Sequence, residues 1–135
     1  MSNLIVKLFE NENYIEEADL PDYKVIGMDI FGGAFLMDTV KRMFYFAPDT
    51  LDIEEMNLNY DDFICWTEQG DVNGFYESFL WEGWEEMARL ADESQGISIY
   101  PPLWAEEYNA KTASRRVVPL KELLGINIEY RKKFL

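Results

Sequence analysis

Histidine is absent from this sequence of 135 residues, and cysteine occurs only once. Histidine is the commonest general base at neutral pH, the usual activator of serine and cysteine nucleophiles, and the commonest protein ligand for zinc, copper and non-haem iron. Its absence excludes most familiar classes of hydrolase and metalloenzyme. We therefore expect a protein that is not an enzyme and that holds no cofactor or metal ion.

The chain also lacks a long hydrophobic run. No apolar stretch approaches the roughly 20 residues of a membrane-spanning helix, and Glu10 and Glu12 follow the apolar start too soon for a signal peptide. Cys65 cannot form an internal disulfide, and the run from Phe63 to Trp66 around it is typical of a packed helix face rather than a reactive thiol. These features predict a cytoplasmic protein with no membrane contact.

Basic residues are scarce. The 12 Lys and Arg oppose 26 Asp and Glu, which gives a formal net charge of −14. Nucleic-acid binding depends on Lys and Arg that neutralise phosphates, so this charge argues against DNA or RNA as a partner. It favours a basic protein partner, although an acidic surface can also serve only to keep a protein in solution. A monomer or a weak homodimer is the expected state.

Charge is divided unevenly along the chain. Residues 1–110 carry 24 acidic and 5 basic side chains, whereas residues 111–135 carry 2 acidic and 7 basic ones. We expect the basic tail to fold back onto the acidic body, with Arg115 and Arg116 paired to carboxylates of the chain rather than to phosphate.

Apolar residues are plentiful. They make up 48% of the chain, with 16% aromatic, which is enough apolar surface to offset the entropy of ordering the backbone. A chain of this length buries roughly two-thirds of its unfolded surface as one compact unit. We therefore expect a single domain over residues 1–135 rather than a disordered chain.

Strand patterns occupy the first half of the chain. Gly32-Gly33 and residues 39–42 separate three of the strands as tight turns, which predicts an antiparallel meander. Pro48 ends the last of these three, because proline lacks the N–H of a strand ladder. The five predicted strands cover residues 4–9, 24–29, 34–37, 43–47 and 53–58.

Helix patterns follow the strands. Asn59 is a favourable N-cap for a helix over residues 60–69, which Gly70 ends. Apolar side chains at helical spacing predict a second helix over residues 71–91, about five turns. Gly83 can mark a kink or a close approach in it, and a split into two helices near Trp81-Glu82 is the alternative.

The last third of the chain mixes both element types. Short strands are predicted over residues 97–100 and 117–118, and a helix opens at Pro119. Strands first and helices later predict an α+β fold, in which an antiparallel sheet carries helices packed mainly on one face.

Acidic side chains are the main candidates for chemistry. Adjacent acids point in different directions on a helix or strand, so none of the adjacent pairs needs to form a catalytic dyad. Distant acids could still converge beside Trp81, Trp84 or Trp104 and bind or cleave a sugar, and this alternative stays open. The five adjacent pairs are Glu16-Glu17, Glu54-Glu55, Asp61-Asp62, Glu85-Glu86 and Glu106-Glu107.

A calcium loop is the other chemical alternative. Asp49, Asp52, Glu54 and Glu55 match such a loop only loosely, because the sixth position is Glu rather than the required Gly. We expect no dedicated metal site.

Proline and tryptophan punctuate the chain in a distinctive way. Three blocks carry the pattern: Tyr45-Phe46-Ala47-Pro48-Asp49-Thr50-Leu51, Tyr100-Pro101-Pro102-Leu103-Trp104 and Ser114-Arg115-Arg116-Val117-Val118-Pro119-Leu120-Lys121-Glu122-Leu123. Over residues 24–125 these blocks resemble a bacterial family whose function is unassigned, and Trp81-Glu82-Gly83-Trp84 fits the same family.

A second set of segments consists of Val25-Ile26-Gly27-Met28-Asp29-Ile30-Phe31-Gly32-Gly33, Met43 to Phe46 and Tyr60-Asp61-Asp62-Phe63-Ile64. In this order they resemble the strand, Asp and glycine turn, the next strand and the helix opening of the SUKH superfamily, which groups Smi/Knr-type and Syd-like domains. This resemblance implies an α+β binding domain, often an immunity protein that neutralises a bacterial toxin, frequently a nuclease.

The charge and this resemblance point to the same partner. A nuclease must be basic to hold phosphate, and an inhibitor can block it by presenting carboxylates in place of nucleic acid. We expect the partner-binding residues to be Asp49, Asp52, Glu54, Glu55 and Trp104, which lie in turns and irregular backbone. The ordinary alternative is that these are solvated acids and a Trp that covers the core. A general regulatory or interaction module of unknown partner remains the alternative function.

Overall fold

The computed structural model describes residues 3–134. Five strands form an antiparallel sheet in chain order, with the first and fifth at its edges. Two more strands form a separate antiparallel ribbon. The sheet contains β1 (Val6–Leu8), β2 (Lys24–Asp29), β3 (Ala34–Met37), β4 (Arg42–Phe46) and β5 (Ile53–Asn59), and the ribbon contains β6 (Gln95–Tyr100) and β7 (Ser114–Pro119).

Four helices accompany the strands, so the predicted α+β fold is confirmed. They are α1 (Tyr60–Gln69), α2 (Val72–Phe75), α3 (Trp84–Leu90) and α4 (Leu120–Phe134). Among residues 3–134, no helix is long and apolar enough to cross a bilayer.

Helix α1 begins and ends as predicted. The side-chain oxygen of Asn59 accepts a hydrogen bond from the backbone N–H of Asp62 at 2.9 Å, which caps the first turn. Its buried positions are Phe63 and Thr67, four residues apart on one side of the helix. Cys65 points to the other side and is exposed, so the prediction of a packed cysteine is wrong.

The single long helix predicted over residues 71–91 is wrong, whereas the alternative break near Trp81-Glu82 is present. The segment is divided into α2, a 3-10 turn over Glu77–Phe79 and α3, and Gly83 precedes α3 in the left-handed region with φ of 84°. The apolar spacing nevertheless reflects real packing. The rings of Tyr76, Phe79 and Trp81 all lie within 6.1 Å of the ring of Phe31. Short turns let these side chains wrap around one aromatic residue.

Side chains alternate between the two faces of the sheet, and each face is covered. Tyr45 and its neighbours pack against the first three helices, whereas Phe46 and its neighbours pack against α4. Three of the four helices therefore share one face, as predicted. Buried residues on the first face include Ile26, Phe35, Met43, Phe63 and Tyr76, and on the second face Val25, Leu36, Leu123, Leu124 and Ile128.

The C-terminal region docks on its own chain, as predicted. In α4, the guanidinium of Arg131 donates to the Leu51 carbonyl at 2.6 Å, and the Lys132 ammonium lies 3.6 Å from an Asp19 carboxylate oxygen. Arg115 behaves differently. It lies over the Trp81 ring at 4.1 Å and donates to the Ala110 carbonyl at 2.7 Å.

The predicted carboxylate pairing of the two adjacent arginines is therefore wrong. Neither Arg115 nor Arg116 forms an ion pair within residues 3–134. Arg115 lies in the ribbon directly opposite Ile99, a partly buried residue packed against the aromatic core, so an aromatic ring and carbonyl oxygens surround its guanidinium. Pro119 also differs from its prediction, because it ends β7 rather than opening α4.

Candidate functional site

The turn between β4 and β5 holds two of the predicted partner-binding acids at the surface. Leu51 is buried although its φ of 61° lies in the left-handed region, and its N–H donates to the Ala47 carbonyl at 2.8 Å. This inward anchor leaves Asp49 and Asp52 exposed on either side of it. The turn is thus an acidic projection whose apolar centre packs into the core.

The other two acids lie on the edge strand. Glu54 stands opposite Tyr45 and Glu55 opposite Phe44, so the two carboxylates point to opposite faces of the sheet. Both are exposed. One end of the sheet therefore carries negative charge on both sides.

Only part of the outer edge of β5 has backbone groups that are free to pair with another strand. Ala47 donates to the Asp52 carbonyl at 3.0 Å, so by antiparallel alternation the backbone groups of Ile53 and Glu55 point away from β4. Beyond Glu55 the register shifts, and Asn57 adopts a left-handed φ of 59°. This irregularity ends the flat edge after three residues.

The four acids have no ion-pair partner among residues 3–134, where the ion pairs join Arg42 to Asp38 and Lys132 to Asp19 and Glu129. A hydrogen bond to Asp38, with the attraction of that carboxylate, raises the pKa of Arg42, and the charge of Glu55 adds to the effect. Arg42 is thus already engaged with Asp38. Arg131 reaches the same turn at the Leu51 carbonyl, so the hairpin carries four acids without an ion pair in the described part of the chain and stays net negative, although two cations lie near it.

Trp104, the predicted aromatic anchor, is half-buried. Its ring packs against Tyr130 at 4.8 Å and Phe134 at 5.0 Å, both in α4. Its indole nitrogen is buried, with no hydrogen-bond partner in the described chain, which costs about 1–3 kcal/mol for an unmet donor. Trp104 therefore covers the core, as the ordinary alternative supposed, but with a polar group left unsatisfied.

Trp104 also lines a groove between β6 and α4. The groove has a volume of about 110 Å³, and Pro48, the residue before Asp49, lines it too. The structure thus brings Trp104 and the acidic turn to the borders of one groove. Glu54 and Glu55 lie farther along the edge strand.

Sequence reasoning missed two residues of this groove. Tyr100, at the end of β6, is 71% exposed, and Ile126, in α4, is 39% exposed. The signal for Tyr100 was its place directly before Pro101-Pro102, where a strand must stop and its last side chain need not be covered. The exposure of Ile126 depends on how α4 packs, which its sequence does not reveal.

A buried carboxyl is the most unusual polar group of the molecule. Asp29 is fully buried. One carboxyl oxygen accepts from the N–H groups of Phe31 at 2.8 Å and Gly33 at 2.9 Å. The other accepts from the hydroxyls of Tyr45 at 2.5 Å and Tyr76 at 2.7 Å. Every hydrogen bond of this cluster is made inside the protein.

Burial dominates the acid–base behaviour of this cluster. It raises the pKa of Asp29, although the four hydrogen bonds act in the opposite direction. Burial, with the neighbouring carboxyl, also raises the pKa of Tyr45 and Tyr76 well above 10. A Cβ atom at Gly33 would overlap the hydroxyl of Tyr45 and the carboxyl of Asp29, so glycine is required there. We interpret Asp29 as a structural tie between β2, β4 and the end of α2.

The residues named for the alternative chemistries have the following positions in the part of the chain that the structure describes. Nine of the ten acids in the adjacent pairs are exposed, and Glu17 is half-buried. Trp84 is buried in the core, and Trp81 packs against Phe31. No three acidic or sulfur side chains of residues 3–134 come together as metal ligands would.

Comparison with known proteins places the chain among bacterial relatives. It is 34% identical over 102 residues to the uncharacterised protein YbfG of Escherichia coli strain K12, which covers 76% of this chain and 46% of that protein. It is 24% identical over 99 residues to an uncharacterised protein of Haemophilus influenzae, which covers 69% of this chain and 43% of that protein.

This chain thus spans less than half the length of the curated relatives it matches. No solved structure matches it. The resemblance to a bacterial family without an assigned function is confirmed, because one family model covers residues 2–123. The chain belongs to that family, which is described as "Protein of unknown function DUF2625".

Proposed function

We propose that this chain is a non-catalytic domain that binds and inhibits a basic protein in the cytoplasm. The observation that supports this most is the acidic hairpin formed by Asp49, Asp52, Glu54 and Glu55. All four are exposed, and none has an ion-pair partner within residues 3–134. A basic surface would supply the missing counter-charge, and the complementary fields would speed its capture.

The edge strand supports the same partner for a second reason. The outward backbone groups of Ile53 and Glu55 can pair with an extended segment of another protein. Acidic side chains on such an edge repel a second copy of the chain and attract a basic segment. Self-association through this edge is therefore weak, in keeping with a monomer or a weak homodimer.

The finer proposal is that the partner is a nuclease-type toxin made by the same or neighbouring bacteria. Its basis is the resemblance of residues 25–33 and 60–64 to the SUKH superfamily, together with the net charge of −14. A nuclease holds phosphate with Lys and Arg, so the exposed carboxylates of the hairpin would compete directly with its substrate. The same charge argues against nucleic acid as a partner of this chain.

A general regulatory module is the alternative function. It would use the same acidic hairpin, but its partner would not be toxic. Toxicity of the partner therefore separates the two functions, whereas binding alone does not.

The test is capture from a lysate of the source cell on the immobilised chain. We compare the unaltered chain with Glu54→Lys/Glu55→Lys, and use Glu85→Lys/Glu86→Lys as the matched control. The control makes the same charge change at two exposed acids of α3. Capture is measured at about 0.1 M and about 1 M salt, where the Debye length falls from about 10 Å to about 3 Å.

We expect a basic protein to be captured at low salt and lost at high salt. The Glu54→Lys/Glu55→Lys variant should reduce its yield at least about tenfold, whereas the control changes it little. An equal yield from both variants would contradict the proposed surface. The captured protein is then expressed alone and together with this chain. Growth arrest that co-expression relieves supports the immunity role, and a harmless partner contradicts that role while leaving the binding role in place.

A further inference from the structure

The groove between β6 and α4 has the features of a side-chain pocket in a protein interface. Tyr100 and Trp104 line it from the ribbon and the following segment, and Tyr130 and Ile126 line it from α4. Tyr100 and Ile126 expose apolar surface there that nothing in the described chain covers. Tyrosine and tryptophan around a small pocket are typical of the residues that dominate binding between proteins.

Its size restricts the occupant. The volume of about 110 Å³ is well below the roughly 300–1,000 Å³ of small-molecule sites. The groove therefore suits one side chain of a longer segment rather than a free metabolite.

Negative charge lies within one to three residues of the groove lining at two places. Asp49 directly follows Pro48, and Glu106 and Glu107 come two and three residues after Trp104; all three acids are exposed. None of the three forms an ion pair among the residues from 3 to 134. Arg131, which follows the lining residue Tyr130, donates to the Leu51 carbonyl and forms no ion pair with these acids, so three unpaired acids stand beside one cation and the surroundings of the groove stay net negative.

We propose that this groove receives a proline-containing basic segment of the partner, with the proline ring between the aromatic walls and flanking arginines against the acids. This inference rests on the proposed function, which is the binding of a basic protein. It adds to that binding a pocket for an apolar side chain of the same partner. Proline suits the groove because it has no N–H to desolvate, stacks on aromatic rings, and holds its segment extended before binding.

The test uses three synthetic peptides and the full chain. The first peptide has two arginines on each side of a Pro-Leu-Pro centre. The second keeps the arginines around a Ser-Gly-Ser centre, and the third keeps Pro-Leu-Pro but replaces every arginine with glutamine. Binding is measured by backbone amide chemical shifts in titrations up to about 1 mM peptide, where even millimolar affinities are visible.

We expect only the first peptide to bind well, with shifts at the groove, and the other two to bind at least about tenfold more weakly. Tyr100→Ala should weaken the first peptide about tenfold and leave the second unchanged. The matched control is Leu90→Ala in α3, since Leu90 is 73% exposed and lies outside the groove. Ile126→Ser is the second groove variant, and thermal unfolding confirms that each variant is folded.

Equal binding of the first two peptides, or an unchanged affinity in both Tyr100→Ala and Ile126→Ser, would overturn the groove while leaving capture by charge in place. Absence of any binding to the unaltered chain, with lysate capture intact, would also overturn the groove alone. The proposed function fails separately, through loss of the salt-sensitive capture.

Discussion

The two faces of the central sheet are stabilised by different chemistry. The face under α1, α2 and α3 contains the Asp29 carboxyl and the hydroxyls of Tyr45 and Tyr76 in one buried cluster. The face under α4 is packed by aliphatic side chains such as Leu123, Leu124 and Ile128. Both faces are buried, but among the described residues only the first contains a buried carboxyl whose hydrogen bonds link several elements.

This difference bears on how the chain selects one arrangement. Aliphatic contacts do not impose one orientation, because the hydrophobic effect has no direction. The Asp29 cluster tolerates little displacement, because each unpaired polar group in the core costs free energy. The polar face contains the segment 71–91, whose short turns leave it many alternative packings. We infer that the cluster fixes the position of this segment, whereas a single continuous helix, α4, needs no such tie.

The largest expected change in stability follows the removal of the Asp29 carboxyl, the shared hydrogen-bond acceptor of the cluster. Asp29→Ala leaves two tyrosine hydroxyls and two backbone N–H groups without an acceptor, so the free energy of unfolding should fall by about 4 kcal/mol. Urea unfolding followed by tryptophan fluorescence measures the change.

Asp29→Asn is the matched control for that substitution. The amide keeps one oxygen for the N–H groups of Phe31 and Gly33, and both hydroxyls can turn to accept from its nitrogen. Asp29→Asn should therefore lower the free energy of unfolding clearly less than Asp29→Ala. Equal losses in the two variants would mean that the volume of the side chain, rather than its hydrogen bonds, stabilises this face.

The second prediction concerns pH. Burial raises the pKa of Asp29 in the folded state above its ordinary value of 3.8, so the folded protein binds more protons than the unfolded chain. This contribution to stability is complete below pH 3.8 and is lost as the pH rises toward the folded pKa. The advantage of the unaltered protein over Asp29→Asn should therefore shrink with rising pH, by at most about 1.4 kcal/mol per pH unit.

Denaturant unfolding of the unaltered protein and of Asp29→Asn, measured at a series of pH values from below 3.8 upward, checks the prediction. The other carboxyls, including Asp92, whose pKa is lowered by hydrogen bonds from Ser94, are present in both proteins and cancel in the difference. A difference that stayed constant, or grew with pH, would show that the hydrogen bonds outweigh burial at Asp29.

The smallest predicted changes in the free energy of unfolding come from removing a few atoms on each face of the sheet. Tyr76→Phe removes a hydroxyl that donates to Asp29 and should cost about 1.5 kcal/mol. Ile128→Val removes one methylene from the α4 face and should cost about 1 kcal/mol. Urea midpoints at equal slope give both values. A larger loss from Ile128→Val would reverse the proposed contrast between the faces.

Local signals in the sequence predicted the regular elements well. The boundaries of β2, β3 and α1 agree with their predictions, because proline, glycine and the Asn59 cap act on adjacent residues. The same reasoning failed over residues 71–91. There the apolar spacing was correct, but Phe31, about forty residues earlier in the chain, decides how the segment folds around it.

The sequence likewise predicted one part of the candidate site and not the other. Exposure of Asp49, Asp52, Glu54 and Glu55 followed from their place in a turn and on a short strand. The groove could not be predicted, because Tyr100 and Ile126 lie in distant elements that meet only when α4 docks beside the ribbon. The buried role of Asp29 could not be predicted either, because a single acid in a strand gives no sign that two tyrosines will face it.

By itself, the sequence determined the α+β character of the chain, its lack of histidine chemistry and the sign of its electric field. These depend on composition and on neighbouring residues, which the sequence contains directly. The tertiary structure decided which face would bury Asp29, where Trp104 would pack and which aromatic rings would border a groove. Those outcomes depend on contacts between residues far apart in the chain, and such contacts exist only once packing has brought the elements together.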